Sequence, residues 1–164
     1  MLLVGDDHDP DQLYLNPVGA KQLGNRKELI AKVISIVRSM PDIAVVASYD
    51  EIAALPAKRF EDPREESLLY RLKFSAAPER AGDILLAFQA MVERGGPPHE
   101  DPAQHGSAYD YDRRVPIIFW GPWPGEHRMD PASTVDIAPT LANELGIKPE
   151  EPLDGVPLRL SRQR

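Results

Sequence analysis

The stretch QHGSAYDYDRRVPIIFWG, residues 104–121, places a histidine and several oxygen-bearing side chains directly before an apolar run. Imidazole and carboxylate groups are ligands that zinc and related divalent ions accept. His105 precedes Gly106, which allows the backbone a positive φ or a close approach. Because a catalytic zinc usually needs three protein ligands, two interpretations of His105 remain open. It is either an exposed loop residue or one member of a metal site whose partners lie elsewhere.

The other candidate residues have a simpler explanation. Asp6, Asp7, His8 and Asp9 are consecutive, so their side chains point apart and cannot all face one ion, and Asp-Pro favours a turn. We predict a solvated hairpin tip there. His99 and His127 lie in loops rich in proline and glycine, where we expect them to be exposed. The G-x-S-x-G, P-loop and G-x-G-x-x-G motifs are absent from the sequence.

Composition narrows the class of protein. The 164 residues fit one domain over 1–164, and 42% hydrophobic and 27% charged residues are ordinary for a globular chain. The net charge of -7 argues against a nucleic-acid binder, because such proteins usually carry a basic surface. The chain has no cysteine, which excludes disulfides and thiolate metal sites. No apolar run approaches the roughly 18–20 residues of a membrane span.

Apolar spacing predicts the elements that would position these side chains. Apolar runs at 2–4 and 13–15 flank a polar turn and indicate a hairpin. Asn25 is a candidate cap for a helix from Arg26, whose apolar face recurs every three or four residues until Pro41. Further predicted elements are a strand at 43–48, a short helical turn capped by Asp50, a helix at 64–74 and a strand at 81–89.

The last part of the chain is read in the same way. VPIIFW (115–120) is apolar throughout and predicts a strand buried on both faces. A helix is predicted from Thr134 to Leu145, ended by Gly146. The tail is predicted as loop with at most one edge strand. Together these elements indicate an α/β fold, with α+β as the alternative: a single mixed sheet with a starting hairpin, covered by about three helices.

Three segments, HGSAYDYDRRVPIIFWGP, STVDIAPTLANELGI and LDG, resemble in this order the C-terminal end of the alkaline phosphatase superfamily. The branch they resemble holds the type I phosphodiesterases and phosphate-irrepressible alkaline phosphatases. QLYLN, DIAVVAS and ERAGDILLAF extend the resemblance upstream, so that it covers nearly the whole chain. It implies a fragment of an alkaline-phosphatase-like fold, and a parent protein that hydrolyses phosphate mono- or diesters.

Residue roles follow from the resemblance alone. The histidine of the His-Gly step is a zinc ligand in that family, which implies this role for His105 in the full-length context. Two zinc ions are implied for the parent, about 4 Å apart in the general two-metal scheme. Tyr109 and Asp112 are implied as supports around the ligand. Asp136 is expected to cap or orient a helix rather than to bind metal.

The sequence also departs from the family pattern. In that family the Thr or Ser nucleophile, a metal-binding Asp-x-x-x-His pair and an Asp-His-Gly step are expected upstream, in an N-terminal part that we expect to be missing here. Asp7-His8 follows an apolar run as that step does, but Asp9 replaces the glycine and QLYLN follows too soon. We therefore interpret Asp7-His8 as the hairpin turn. The chain alone is expected to hold no catalytic residue, to lack phosphatase activity and to bind zinc weakly or not at all.

The expected partners are the missing N-terminal catalytic part of the same protein and, for the parent, a phosphate ester substrate. Removal of that part is expected to expose an apolar patch or a sheet edge, which would favour self-association. The resemblance suggests a periplasmic or secreted location. The alternative is a stand-alone binding or interaction module that kept the fold without the chemistry.

Overall fold

Four strands form a sheet in the order β1-β2-β4-β3, and every described pair is antiparallel. The computed structural model describes residues 3–4, 11–56, 58, 63–92, 105–123 and 125–160. The strands are Leu3–Val4 (β1), Gln12–Leu15 (β2), Ile43–Ser48 (β3) and Ile84–Phe88 (β4). The predicted α/β class and starting hairpin are confirmed. Where a mixed sheet was predicted, each described strand pair is antiparallel.

Helices are more numerous than the three predicted, because short capped turns add to the long ones. The α-helices are Pro17–Leu23 (α1), Arg26–Arg38 (α2), Tyr49–Ala53 (α3), Leu68–Ser75 (α4), Asp110–Arg113 (α5) and Ile137–Leu145 (α6). Two 3-10 turns cover Pro63–Glu65 and Thr134–Asp136. None of the helices within the described ranges is long and apolar enough to cross a membrane.

The chain divides into two compact units. The first unit comprises Met1–Phe60 and Arg64–Arg114, and the second comprises Glu61–Pro63 and Val115–Arg164. The first unit contains all four described strands, while the second is built around α6. The prediction of a single domain over 1–164 stays a prediction.

Strand β4 is the centre of the first unit because its side chains are buried on both faces of the sheet. Side chains of a strand alternate between faces. Ile84 and Leu86 pack in one cluster with residues of α2. Leu85 and Ala87 pack in another, which includes Ile52 of α3 and Leu72 of α4. The sheet is therefore covered by helices on both sides.

Local signals explain most helix boundaries. Asn25 caps α2 as predicted, since its side-chain oxygen accepts a hydrogen bond from the Lys27 N–H at 3.0 Å. The buried face of α2 is the predicted one: Leu29, Val33, Ile34 and Val37. Gly146 ends α6 with φ of 65°, the left-handed conformation that glycine adopts at low cost.

Two helix starts differ from the prediction. Ser48, rather than Asp50, caps α3: its hydroxyl accepts from the Glu51 N–H while the Glu51 carboxylate accepts from Ser48. The helix predicted from residue 64 begins at Leu68, where Ser67 caps it. In both cases the hydroxyl satisfies a backbone N–H that the first helical turn leaves unpaired.

The predicted strand at 115–120 is wrong. These residues have no regular secondary structure, and Val115, Ile118 and Trp120 are 58%, 80% and 97% exposed. A strand is stabilised by hydrogen bonds to a neighbour, and no described strand pairs with this segment. The described tail, residues 151–160, likewise contains no edge strand.

Candidate functional site

His105 begins the segment that the sequence singles out, and its side chain is exposed. Gly106 follows it with φ of +106°, a conformation that other residues rarely adopt. Among the residues the structure describes, no three His, Asp or Glu side chains group closely enough to hold a metal ion. Asp6, Asp7, His8, Asp9 and His99 lie outside the described residues. His105 therefore offers one accessible imidazole without further metal ligands from the described chain.

Asp112 closes the turn after His105. Its Oδ2 accepts a hydrogen bond from the Ser107 backbone N–H at 2.8 Å. The Ser107 hydroxyl and then its N–H hold the pKa of the Asp112 carboxyl below its usual range, and the charge of His105 adds a smaller contribution. A hydrogen bond to the ionised form stabilises that form. Asp112 is thus a charged group that fixes the backbone just after His105.

Two tyrosines anchor the same segment at the end of β4. The Tyr109 hydroxyl donates to the Phe88 carbonyl at 3.0 Å, and the Tyr111 hydroxyl accepts from the Met91 N–H at 3.1 Å. Their rings are stacked, with centroids 5.6 Å apart and planes 6° from parallel. The two hydroxyls thus connect the segment to the backbone at the last residue of β4 and three residues beyond it. Support of a metal ligand by Tyr109 or Asp112 stays a prediction.

Arg71 of α4 was missed by the sequence reasoning. Its Nη1 donates to the Ala108 carbonyl at 2.8 Å, and its Nη2 lies 2.9 Å from the Asp110 carboxylate. A second ion pair joins Arg113 to Glu66. No local pattern marks Arg71, because its partners are almost 40 residues away in the chain. These contacts attach the His105 segment to α4 as well as to β4.

In the second unit, Asp136 and Thr140 hold the tail against α6. Both side chains are fully buried. The Asp136 carboxylate accepts from the N–H groups of Ser133 and Val156, each at 2.9 Å. The Thr140 hydroxyl accepts from the Leu158 N–H at 2.8 Å and donates to the Asp136 carbonyl at 2.6 Å. These bonds agree with the expected role of Asp136 in orienting a helix. The bonds to the tail itself were not predicted from the sequence.

Gly155 makes this contact possible. A Cβ at position 155 would lie 2.0 Å from the Val135 carbonyl oxygen and 2.8 Å from the Asp136 Cα. Any larger residue would force the tail and the start of α6 apart. The glycine of LDG is therefore required by a close backbone approach.

His127, as predicted, is exposed.

The fold of the chain matches part of a solved alkaline phosphatase structure. The solved structure of wild-type alkaline phosphatase PafA matches it with a TM-score of 0.72, covering 96% of this chain and 28% of that one. Identity to that structure is 20%, a level that establishes the fold alone. No protein-family model matches the chain.

Two alkaline phosphatases are similar in sequence. Alkaline phosphatase PhoD of Zymomonas mobilis is 37% identical over 123 residues, which are 74% of this chain and 21% of that protein. Alkaline phosphatase PhoK of Sphingomonas sp. is 34% identical over 137 residues, 79% of this chain and 24% of that protein. The resemblance to a C-terminal segment of the alkaline phosphatase superfamily is confirmed. The chain spans about a quarter or less of the length of these relatives.

Proposed function

We propose that this chain is the C-terminal part of a hydrolase that cleaves phosphate mono- or diesters with two zinc ions. His105 would be one of the zinc ligands, and the nucleophile and other ligands would come from the missing N-terminal part. The observation that carries the proposal is an accessible histidine, anchored beside a buried strand, in a chain similar to two alkaline phosphatases over most of its length.

The donor set fits zinc only in part. The His105 imidazole is exposed and can coordinate through a ring nitrogen. Asp112 already accepts a hydrogen bond from Ser107, so its proposed role is to hold the turn rather than to bind the ion. Zinc, when bound, would supply Lewis-acid stabilisation of the transferred phosphoryl group. The described residues would orient one ligand, and the remaining ligands must come from elsewhere.

The isolated chain should therefore lack phosphatase activity. We expect no zinc-dependent hydrolysis of p-nitrophenyl phosphate above the level of a His105→Ala variant, because one ligand cannot complete a catalytic zinc site. Activity is measured with purified chain across a range of added zinc. Robust zinc-dependent turnover that His105→Ala abolishes would show that the chain is complete, and the proposal of a missing catalytic part would fail.

The role of His105 can be tested in a whole enzyme. The segment of PhoK that aligns with this chain is replaced by this chain, and alkaline phosphatase activity and zinc content of the chimera are measured. We expect His105→Ala to lower kcat/KM by at least about 100-fold and to reduce zinc content, since loss of a ligand removes transition-state stabilisation.

The matched control is His127→Ala, which removes an exposed histidine from the second unit. This variant should leave both activity and zinc content of the chimera unchanged. An active chimera that keeps its activity and zinc after His105→Ala would refute the proposed role of His105.

A further inference from the structure

Arg71 is a buried cation whose guanidinium faces the segment that carries His105. Its side chain is 9% exposed. Nη1 donates to the Ala108 carbonyl at 2.8 Å, and Nη2 lies 2.9 Å from Asp110 Oδ1. Nε is buried and has no hydrogen-bond partner among the described residues. Because an unpaired buried charge is costly, the position of this guanidinium and that of the segment depend on each other.

The helix that carries Arg71 is itself fixed. Its neighbour Leu72 is 4% exposed and packs with Leu85 and Ala87 of β4. Ala108, whose carbonyl Arg71 binds, packs against the same cluster. The Arg71 N–H donates to the Ser67 carbonyl at 3.1 Å in the first turn of the helix. The guanidinium therefore projects from a rigid base towards residues 108–110.

We propose that Arg71 is a positioning residue that sets the backbone from His105 to Asp112 and thereby the direction of the His105 imidazole. The two terminal nitrogens of Arg71 lie in one plane, so a single guanidinium bonds both the Ala108 carbonyl and the Asp110 carboxylate, which are two residues apart. A lysine carries the same charge on a compact ammonium and cannot reproduce this fork. The importance of Arg71 for catalysis rests on the proposed function, whereas its effect on the segment does not require a metal.

Amide hydrogen exchange in the intact chain, followed by NMR, tests the proposal. The variants are Arg71→Lys, which keeps the charge, and Arg71→Met, which removes it. The amides of Ser107 and Asp112, both hydrogen-bonded within the segment, report the positioning. We expect both amides to exchange at least about tenfold faster in each variant, with wider motion of the His105 ring in carbon relaxation.

The amide of Leu86, a buried residue of β4 that donates to the Asp11 carbonyl just before β2, reports global stability and should keep its exchange rate. Arg38→Lys is the matched control variant. Arg38 likewise reaches from a helix to a backbone carbonyl, that of Val46, at 3.3 Å. This control should change the exchange of Ser107 and Asp112 by less than about twofold.

Two results would overturn the proposal. One is exchange at Ser107 and Asp112 that stays within about twofold of the parent chain in both Arg71 variants. The other is equal acceleration at Leu86, which would make Arg71 a contributor to overall stability only. If Arg71→Met does not fold, Arg71→Lys decides. Retained activity in the chimera with His105→Ala would refute the proposed role of His105 as a zinc ligand and leave this result intact.

Discussion

Gly155 lies where a side chain has no room. A Cβ there would be 2.0 Å from the Val135 carbonyl oxygen, which is backbone and cannot rotate away. We predict that Gly155→Ala destabilises the second unit by about 1–3 kcal/mol, the usual cost of forcing extra volume into a close contact. Both tryptophans of the chain lie in this unit, and the emission of the half-buried Trp123 during urea unfolding reports its stability.

Gly125→Ala is the matched control in the same unit. A Cβ at position 125 would meet no atom of the described residues within 4 Å. This control should leave the free energy of unfolding unchanged to within about 0.5 kcal/mol. Equal midpoints for Gly155→Ala and the parent chain would contradict the close contact between the tail and the start of α6.

At the scale of elements, α3 depends on a reciprocal pair of capping bonds. The Glu51 carboxylate accepts from the Ser48 N–H at 2.8 Å and from the Ser48 hydroxyl at 2.9 Å. In return, the Ser48 hydroxyl accepts from the Glu51 N–H at 3.2 Å. The Ser48 N–H, and then its hydroxyl, lower the pKa of Glu51 below its ordinary value of 4.5. The ionised form of Glu51 is therefore favoured in the folded state.

This pair predicts a pH dependence. A lowered folded-state pKa means that the contribution of Glu51 is present above about pH 4.5 and is lost as the pH falls through the folded pKa. Glu51→Gln keeps a side-chain acceptor but no charge, so it should lower the Tm at pH 7. The difference in Tm between this variant and the parent chain should shrink towards zero as the pH falls below the folded-state pKa of Glu51. Circular dichroism melts at several pH values between neutral and acidic measure this Tm difference.

Glu151→Gln, which changes an exposed carboxylate in a loop of the second unit, controls for the change in net charge. Its Tm should follow that of the parent chain at each pH. A constant Tm difference between Glu51→Gln and the parent chain at every pH would contradict the capping role of the ionised Glu51.

Elements with local signals were predictable, and elements that need a distant partner were not. The α2 face, the strand at 43–48 and the Gly146 stop follow from spacing and caps within a few residues. The Ser48-x-x-Glu51 box was also present in the sequence and was overlooked in favour of Asp50. By contrast, the apolar run at 115–120 would become a strand only beside a partner, which the described chain lacks.

The same distinction between local signals and distant partners applies to the candidate site. His105 and its turn were predictable from the His-Gly step and the polar residues after it. Arg71 and the Phe88 carbonyl reach this turn from elements 21 or more residues away, and nothing near them in the sequence marks that contact. The bonds from Asp136 and Thr140 to the tail span 20 and 18 residues and were missed for the same reason.

At the scale of the whole molecule, the second unit is notable for the large apolar side chains that it exposes. Its fully buried side chains among the described residues are Asp136 and Thr140, which are both polar. Ile118, Trp120 and Leu145 are 80%, 97% and 68% exposed. Large exposed apolar patches mark surfaces that contact another protein part. The longer chains of PhoD and PhoK are consistent with such a part.

Without that part, we predict that the chain associates with itself in solution as a dimer or larger oligomer. Ile118→Asp should reduce the mean mass seen by light scattering, because it places a charge on the exposed apolar segment. Ile36→Asp is the control, since Ile36 is 61% exposed on α2 in the first unit. A monomer at high concentration for the parent chain would count against the prediction.

The contact between the tail and α6 shows how a helix can replace a neighbouring strand. Side chains four residues apart on a helix are about 6 Å apart along its axis, close to the roughly 6.6 Å between alternate residues of an extended chain. Asp136 and Thr140 thus present two acceptors at the spacing of Val156 and Leu158. Pro157, between them, has no N–H to leave unpaired. A shift of the tail by one residue would place this proline opposite an acceptor, so the proline fixes the register of the pairing.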